Sequence, residues 1–313
     1  MECNEMKIVL TSVLLTVLLT GTAQIVSEDD AKIVYRQANQ EVVTLKKNPK
    51  RTVVGYGSLA KVWDLAGGTA VGVPKLREKD ALPDSMKNLP QIGLPTVPNP
   101  EKIALVHPDL VLLSSKLERH HAVASLLRQS GVDAVCVTYN NYNDFHDLLD
   151  FFCRLNGKSL GQVPAAAKVT SEVAEICRSV RGRKPPRCAI VFASASGFSL
   201  ESDRTNTGLM VKMLGAENIL KRSGRPRMNF SYEQLLVDDP DVMFVIMMGS
   251  HEMLREKFRR EFMEQSAWRE LKAAKSGRVH FLPTDLFLYL PGPDYPAAFR
   301  HLVKLLYPED VKP

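Results

Sequence analysis

The feature that most limits what this chain can fold into is a motif used twice. The first copy runs from Pro100 and Glu101 to His107-Pro108-Asp109-Leu110-Val111-Leu112-Leu113. The second runs from Tyr232 and Glu233 to Asp239-Pro240-Asp241-Val242-Met243-Phe244-Val245. In each, a Glu precedes a Pro-Asp pair by the same spacing and an apolar run follows. The local chemistry is also the same. A short helix starts at a cap, with Asn99 before Pro100 in one copy and Ser231 with Gln234 completing a capping box in the other. The helix stops before the proline, whose ring disfavours helical geometry in the residue ahead of it. The apolar run then reads as a strand buried on both faces, typical of a parallel sheet. For either Glu alone, an acid in a first helical turn needs no reason beyond the helix dipole. Two equivalent acids on two equivalent units form a spaced pair of contacts.

Strands alternate with helices around each copy, which argues for βαβ units. Residues 24–50 alternate weakly and read as an edge hairpin. A strand from Arg51 ends in the Gly55-Tyr56-Gly57-Ser58 turn, a helix covers 59–65, a short strand covers 70–74, and 75–100 is a long surface loop. After the first motif come a helix over 118–130, a strand over 134–138 and a helix over 144–155. Val163, Ala166, Val169, Val173, Ile176 and Val180 then repeat at helical spacing, predicting a connecting helix about 27 Å long. The second block replays the first: Arg187 to Phe192 is a strand followed by a small-residue turn, and 210–216 matches 62–68. After the second motif come helices over 253–264 and 266–274, a strand over 278–282 and a closing helix over 297–306. The expected class is α/β, with two similar lobes of mainly parallel sheets joined by one long connecting helix. The divisions are 1–23, 24–157 for the first lobe, 158–184 for the connector and 185–313 for the second lobe.

The first 23 residues look like a signal peptide. Lys7 precedes the apolar run Ile8 to Leu19, then Gly21-Thr22-Ala23 supplies small residues for cleavage after Ala23; Met1 or Met6 can serve as the start. The expectation is an exported, periplasmic or surface-associated protein. No cysteine follows the apolar run to carry a lipid anchor, since Cys3 lies ahead of it. Beyond the leader lie Cys136, Cys153, Cys177 and Cys188, none in a C-x-x-C pair, so zinc and redox sites are not suggested. Buried free thiols are the default reading, and a Cys177–Cys188 bridge is the alternative in an exported chain. The net charge of +6 comes with no Lys/Arg run interleaved with aromatics, which argues against nucleic acid. No G-x-S-x-G, P-loop or H-E-x-x-H is present, so an enzyme is not expected.

In open α/β sheets, ligands sit beyond the carboxyl ends of the strands. That rule selects Tyr56, Ser58, Ser115, Lys116, Asn140 and Tyr142 in the first lobe. In the second it selects Ser196, Phe198, Arg204, His251 and Tyr289. Tyr and Phe suit an apolar macrocycle or a catecholate face; Lys116 and Arg204 suit anionic groups. His251, just past an apolar strand, is the metal-ligating candidate, although a lone His is more often a cap. His120 and His121 are adjacent on a helix and point apart, so they make no site.

Taken together, Asn99-Pro100-Glu101 with His107-Pro108-Asp109-Leu110-Val111, Leu214-Gly215-Ala216-Glu217-Asn218-Ile219, Phe230-Ser231-Tyr232-Glu233-Gln234-Leu235-Leu236, the 268–279 stretch and Pro291-Gly292-Pro293 resemble a known family. It is that of the class III periplasmic substrate-binding proteins of ABC importers, which carry iron-siderophores, haem or cobalamin. The resemblance covers roughly residues 51–308. It implies capture of a metal chelate between two lobes, a ferric siderophore first, with haem or cobalamin as alternatives and no intrinsic cofactor. It also implies a monomer docked on a permease dimer through Glu101 and Glu233. Some haem-binding relatives place an axial ligand in the loop before that first Glu; here 91–98 holds no Tyr or His, which counts against haem. A solute sensor, or an exported α/β enzyme with an interlobe site, is the reading from a different class.

Overall fold

The computed structural model describes residues 23–76, 82–221 and 224–308. The leader expected over 1–23 lies outside them except for Ala23. Among the described residues no helix is long and apolar enough to cross a membrane.

Strands β1 (Gln24–Glu28), β2 (Lys32–Arg36) and β3 (Val42–Lys46) form an antiparallel meander. Ile33, Tyr35, Val43 and Leu45 are buried, so the stretch read as an edge hairpin is a three-stranded sheet that joins the core. The first lobe continues with β4 (Thr52–Val54), α1 (Gly57–Leu65), a hairpin of β5 (Gly93–Leu94) and β6 (Val97–Pro98), α2 (Pro100–Leu105), β7 (Leu110–Ser114), α3 (Glu118–Gln129), β8 (Asp133–Val137) and α4 (Tyr142–Leu155). Strands β4, β7 and β8 are parallel. The strand expected over 70–74 shrinks to single bridges, Val53 with Gly72 and Val73 with Gln91; Pro74 has no N–H to extend a ladder. The surface loop expected over 75–100 is partly core, because Met86 and Ile92 are buried.

Helix α5 (Pro164–Ser179) then leads to the second lobe. That lobe contains β9 (Arg187–Ser194), β10 (Gly197–Glu201), α6 (Asn206–Met213), β11 (Glu217–Asn218), β12 (Arg227–Asn229), α7 (Tyr232–Asp238), β13 (Val242–Met248), α8 (His251–Phe258), α9 (Lys272–Lys275), β14 (Val279–Phe281), α10 (Thr284–Phe287) and α11 (Tyr295–Leu306). The sheet order is β12-β10-β9-β13-β14, with β11 beside the start of β9. Strands β9, β13 and β14 are parallel, while β10 and β12 run antiparallel to their neighbours. The second block therefore departs from the first after β9: Gly197, at φ 128, turns the chain straight back into a hairpin instead of a strand-to-helix crossover.

Period-two alternation explains where the cores lie. On β7 and β8, Leu110, Leu112, Val135 and Val137 face one cluster, while Val111, Leu113, Ala134 and Cys136 face another. On β9 and β13, Cys188, Ile190, Phe192, Val242, Phe244 and Ile246 enter that same first cluster, while Ala189, Val191, Met243 and Val245 build a third. One core is thus shared by both lobes. The apolar stripe of α5 behaves as its spacing predicts: Ala166 and Val173 are buried, and Val169 and Ile176 pack against the shared core. Helix α11 reaches both lobes. Tyr295 and Phe299 pack on Tyr142 of α4 at 5.0 and 5.3 Å between ring centroids, and the Tyr307 hydroxyl donates to the Leu214 carbonyl at 2.8 Å. Arg300 pairs with Glu172 of α5.

The duplication extends to individual atoms. Asp109 and Asp241, each after its proline, accept from the backbone N–H of Arg51 (2.9 Å) and Arg187 (2.8 Å), and return N–H bonds to the same residues' carbonyls. His107 and Asp239, the residues before each proline, are left-handed at φ 45 and 39. One detail differs from expectation. Ser231 Oγ caps Gln234 N–H at 3.2 Å, but the Gln234 side chain does not complete a box. It donates to Asp238 Oδ2 at 2.5 Å, because an ionised acceptor one turn on is the stronger partner. Cys136, Cys153, Cys177 and Cys188 are all free thiols, so the Cys177–Cys188 bridge is not formed. Burial pushes the Cys136 thiol up to about 12 and the Cys153 thiol up to about 11, which suits packing and not reactivity.

Candidate functional site

The strand ends of the two lobes bring most of the selected residues to their rims. Tyr56 stands at the amino end of α1 with Ser58 in the first turn, both half-buried, and the Tyr56 ring lies edge-on to His120 at 6.3 Å. Ser115 and Lys116 follow β7, and the Ser115 hydroxyl bonds Thr138 at the end of β8 at 2.9 Å. Asn140 is exposed and donates its backbone N–H to Asp144 at 2.8 Å. Tyr142, expected at the cleft surface, is instead 7% exposed inside the aromatic cluster with Phe145, Tyr295 and Phe299. The N-cap at Asn141 starts α4 two residues earlier than read, which turns that ring inward.

In the second lobe, Ser196 is exposed at the tip of the β9–β10 hairpin and bonds Ser194 at 2.8 Å. Phe198 gives much of its ring to Phe262 and Phe258, at 4.7 and 5.9 Å, so it supports the rim more than it lines it. Arg204 is exposed just ahead of α6. His251 begins α8, is exposed, and its Nε2 bonds the Thr284 hydroxyl at 2.8 Å. Tyr289 is 68% exposed. Among the described residues no group of three or more His, Cys, Asp or Glu could hold a metal.

Sequence reasoning missed three members of the rim: Asp144, Glu201 and Arg227. Arg227 lies on β12 and stacks its guanidinium on Phe192 at 3.7 Å. Its Nε and Nη2 reach Glu201 Oε1 at 2.9 and 2.6 Å, and Glu201 is 2% exposed. Lys116 comes from the opposite lobe. Desolvation pushes its pKa down; the nearby Asp144 pulls it up, and the like charge of Arg227 pushes it down further. Lys116 keeps an exposed surface nonetheless. Burial raises the Asp144 pKa, against the Asn140 bonds and Lys116, which lower it. No motif marks Arg227 in the sequence: only the pairing of β12 with β10 brings it opposite Glu201.

The second lobe also exposes apolar side chains. Met228, Met248 and Met253 are exposed on β12, at the end of β13 and on α8. An open groove of about 540 Å³ includes Arg227, Met228 and Asn229, and another of about 620 Å³ runs along α8 past Met253 and Arg255. The second is the larger, but the first meets the charged rim.

His120 and His121 make no site, as read, but both brace this rim. Ser114 N–H donates to His120 Nδ1 at 2.9 Å, so Nε2 carries the proton and donates to the Pro95 carbonyl at 2.8 Å. His121 Nε2 meets the Ser115 carbonyl at 3.0 Å. Desolvation lowers the pKa of buried His120. The sign is clear: an imidazole whose folded pKa is depressed takes up protons more readily when unfolded, so its contribution is lost as pH falls through roughly 6.5. Asp144 and Asp203, raised by burial, act in the opposite direction. The expected result is that the drop in urea midpoint from pH 7.5 to 5.5 is smaller in His120→Asn than in the parent. Equal drops would show that His120 is not the responsible group.

Glu101 and Glu233 are exposed in the first turns of α2 and α7. Among the described residues neither carboxylate has an ion pair or side-chain hydrogen bond.

A sequence profile described as "Periplasmic binding protein" matches residues 53–286. The chain is 24% identical over 231 residues to the high-affinity heme uptake system protein IsdE of Staphylococcus aureus, covering 72% of this chain and 77% of that one. Among solved structures, an ABC transporter substrate-binding protein of Listeria monocytogenes matches with a TM-score of 0.69 at 22% identity, over 84% of this chain and all of that one. S. aureus IsdE complexed with heme matches at 0.67 and 22%, over 82% and 98%. The vitamin B12 binding protein BtuF of Vibrio cholerae matches at 0.65 and 20%, over 85% and 99%. With the profile spanning most of the chain and the two-lobed α/β architecture shared along nearly the full length of these structures, the chain belongs to the periplasmic binding protein family, with the fold of the class III substrate-binding proteins of ABC importers.

Proposed function

We propose that this chain is an exported receptor that captures a carboxylate-bearing metal chelate, haem first, between its lobes and passes it to an ABC importer. What supports the reading is Lys116 and Arg227, one cation from each lobe whose charges act on one another, with Met228 exposed beside Arg227 in the same groove. Propionates on an apolar macrocycle match that arrangement: anionic groups meet the cations and the macrocycle covers apolar surface. The relatives named for heme uptake move haem ahead of the ferric siderophore in the order of candidates. Siderophore keeps second place, because 91–98 offers no Tyr or His to bind iron axially. The lobes are those over 24–157 and 185–313, with α5 between them, and the leader over 1–23 directs export. The protein acts as a monomer and is not an enzyme.

Titration of hemin into the mature protein tests this reading. Saturable binding is expected, and Lys116→Ala weakens it about tenfold, as for the loss of one charge-assisted contact. Ferric siderophore binding without hemin binding would move the cargo to the second reading.

A further inference from the structure

Leu105 and Val237 are 76% and 79% exposed, the two highest values among the large apolar side chains described. Scattered exposed apolar residues are ordinary and call for no explanation. These two are not scattered. Leu105 follows Glu101 by one helical turn on α2, and Val237 follows Glu233 by one turn on α7. Residues at that spacing share a helix face. Each lobe thus presents the same pair, an unpartnered carboxylate with an exposed apolar side chain beside it.

The backbone that sets each pair is duplicated as well. A left-handed residue precedes the proline that follows each helix, and both Pro-Asp carboxylates hold the backbone of an Arg at the start of the neighbouring strand. The pairs are therefore fixed to the sheets. The first is also tied to the ligand rim, because His120 links the end of β7 to Pro95 in the hairpin ahead of α2.

We infer that Leu105 and Val237 are apolar anchors that enter two equivalent sockets on a two-fold symmetric protein partner, each socket offering an apolar recess beside an arginine or lysine. This rests on the permease-docking role that the family resemblance implies for Glu101 and Glu233, and assigns the contact that accompanies each acid. Equivalent surfaces repeated within one chain fit a partner that itself repeats. An apolar residue at the centre of a contact gains from full desolvation, and its neighbouring ion pair strengthens as water is excluded.

The test measures binding of fluorophore-labelled mature protein to right-side-out membrane vesicles from its source cells. Saturable binding is expected for the parent, with affinity falling about tenfold in Leu105→Asp or Val237→Asp and further in the double variant. Thermal midpoints and hemin titrations are expected to stay at parent values, since both side chains are exposed. Retained binding in the Leu105→Asp/Val237→Asp protein, while Glu101→Ala/Glu233→Ala loses it, would overturn the anchors alone. Absence of saturable parent binding would overturn the anchors and the docking role together. Equal binding to protein-free phosphatidylglycerol–phosphatidylethanolamine vesicles would assign the apolar pair to lipid. A parent dimer in sedimentation that Leu105→Asp disperses would assign it to a second copy. Either result overturns the inference.

Discussion

Phe299→Ala is expected to destabilise the protein by about 3–5 kcal/mol, a large share of the roughly 5–15 kcal/mol that holds a typical domain folded. Phe299 is fully buried on α11 and meets the Tyr142 ring at 5.3 Å, across the boundary between the first lobe and the closing helix. Truncation loses the transfer energy of the ring and leaves a cavity among Tyr142, Tyr295 and α5 that close packing cannot collapse. Phe299→Leu, which keeps most of the volume, should cost less than about 1.5 kcal/mol. Urea unfolding of the three proteins measures this. A loss below about 1 kcal/mol in Phe299→Ala would mean that the shared core does not bind the lobes together. The same cluster limits motion: relative rotation of the lobes would have to slide α11 over α4 and α5. Closure on ligand is therefore expected to be small, with hydrogen exchange in α4 and α11 rising in the Ala variant.

The second large effect separates capture from delivery. Glu101→Ala with Glu233→Ala should leave hemin titration within about twofold of the parent, yet lower chelate uptake by whole cells about a hundredfold. That follows from losing two charged contacts at roughly 1.5–3 kcal/mol each, with each 1.4 kcal/mol a factor of ten. Both residues are exposed in the first turns of short helices and make no ion pair among the described residues, so the fold has no reason to change. Loss of hemin binding in the double variant would place the acids in the ligand site instead.

Much of this architecture is local chemistry and could be read before folding was considered. The Glu…Pro-Asp duplication, the caps at Asn99 and Ser231, the buried runs at β7 and β13 and the apolar stripe of α5 all follow from backbone sterics and periodicity. Strand-end loops were legible for the same reason, and they include Ser115, Lys116 and His251. Tyr142 was misjudged by its neighbours: nothing local shows that α11, more than a hundred residues later, would cover it. Arg227 and Glu201 carried no signal, because their pairing arises only when β12 closes on a hairpin that replaced the expected crossover. Even the duplicated acids acquired their neighbours' meaning from the fold. Local pattern alone carried the repeated motif and the apolar stripe of α5, since those depend on contacts a few residues apart. Only the packing of distant segments makes the units share one core and sets Arg227 opposite Glu201, because burial and strand pairing depend on contacts that no local pattern carries.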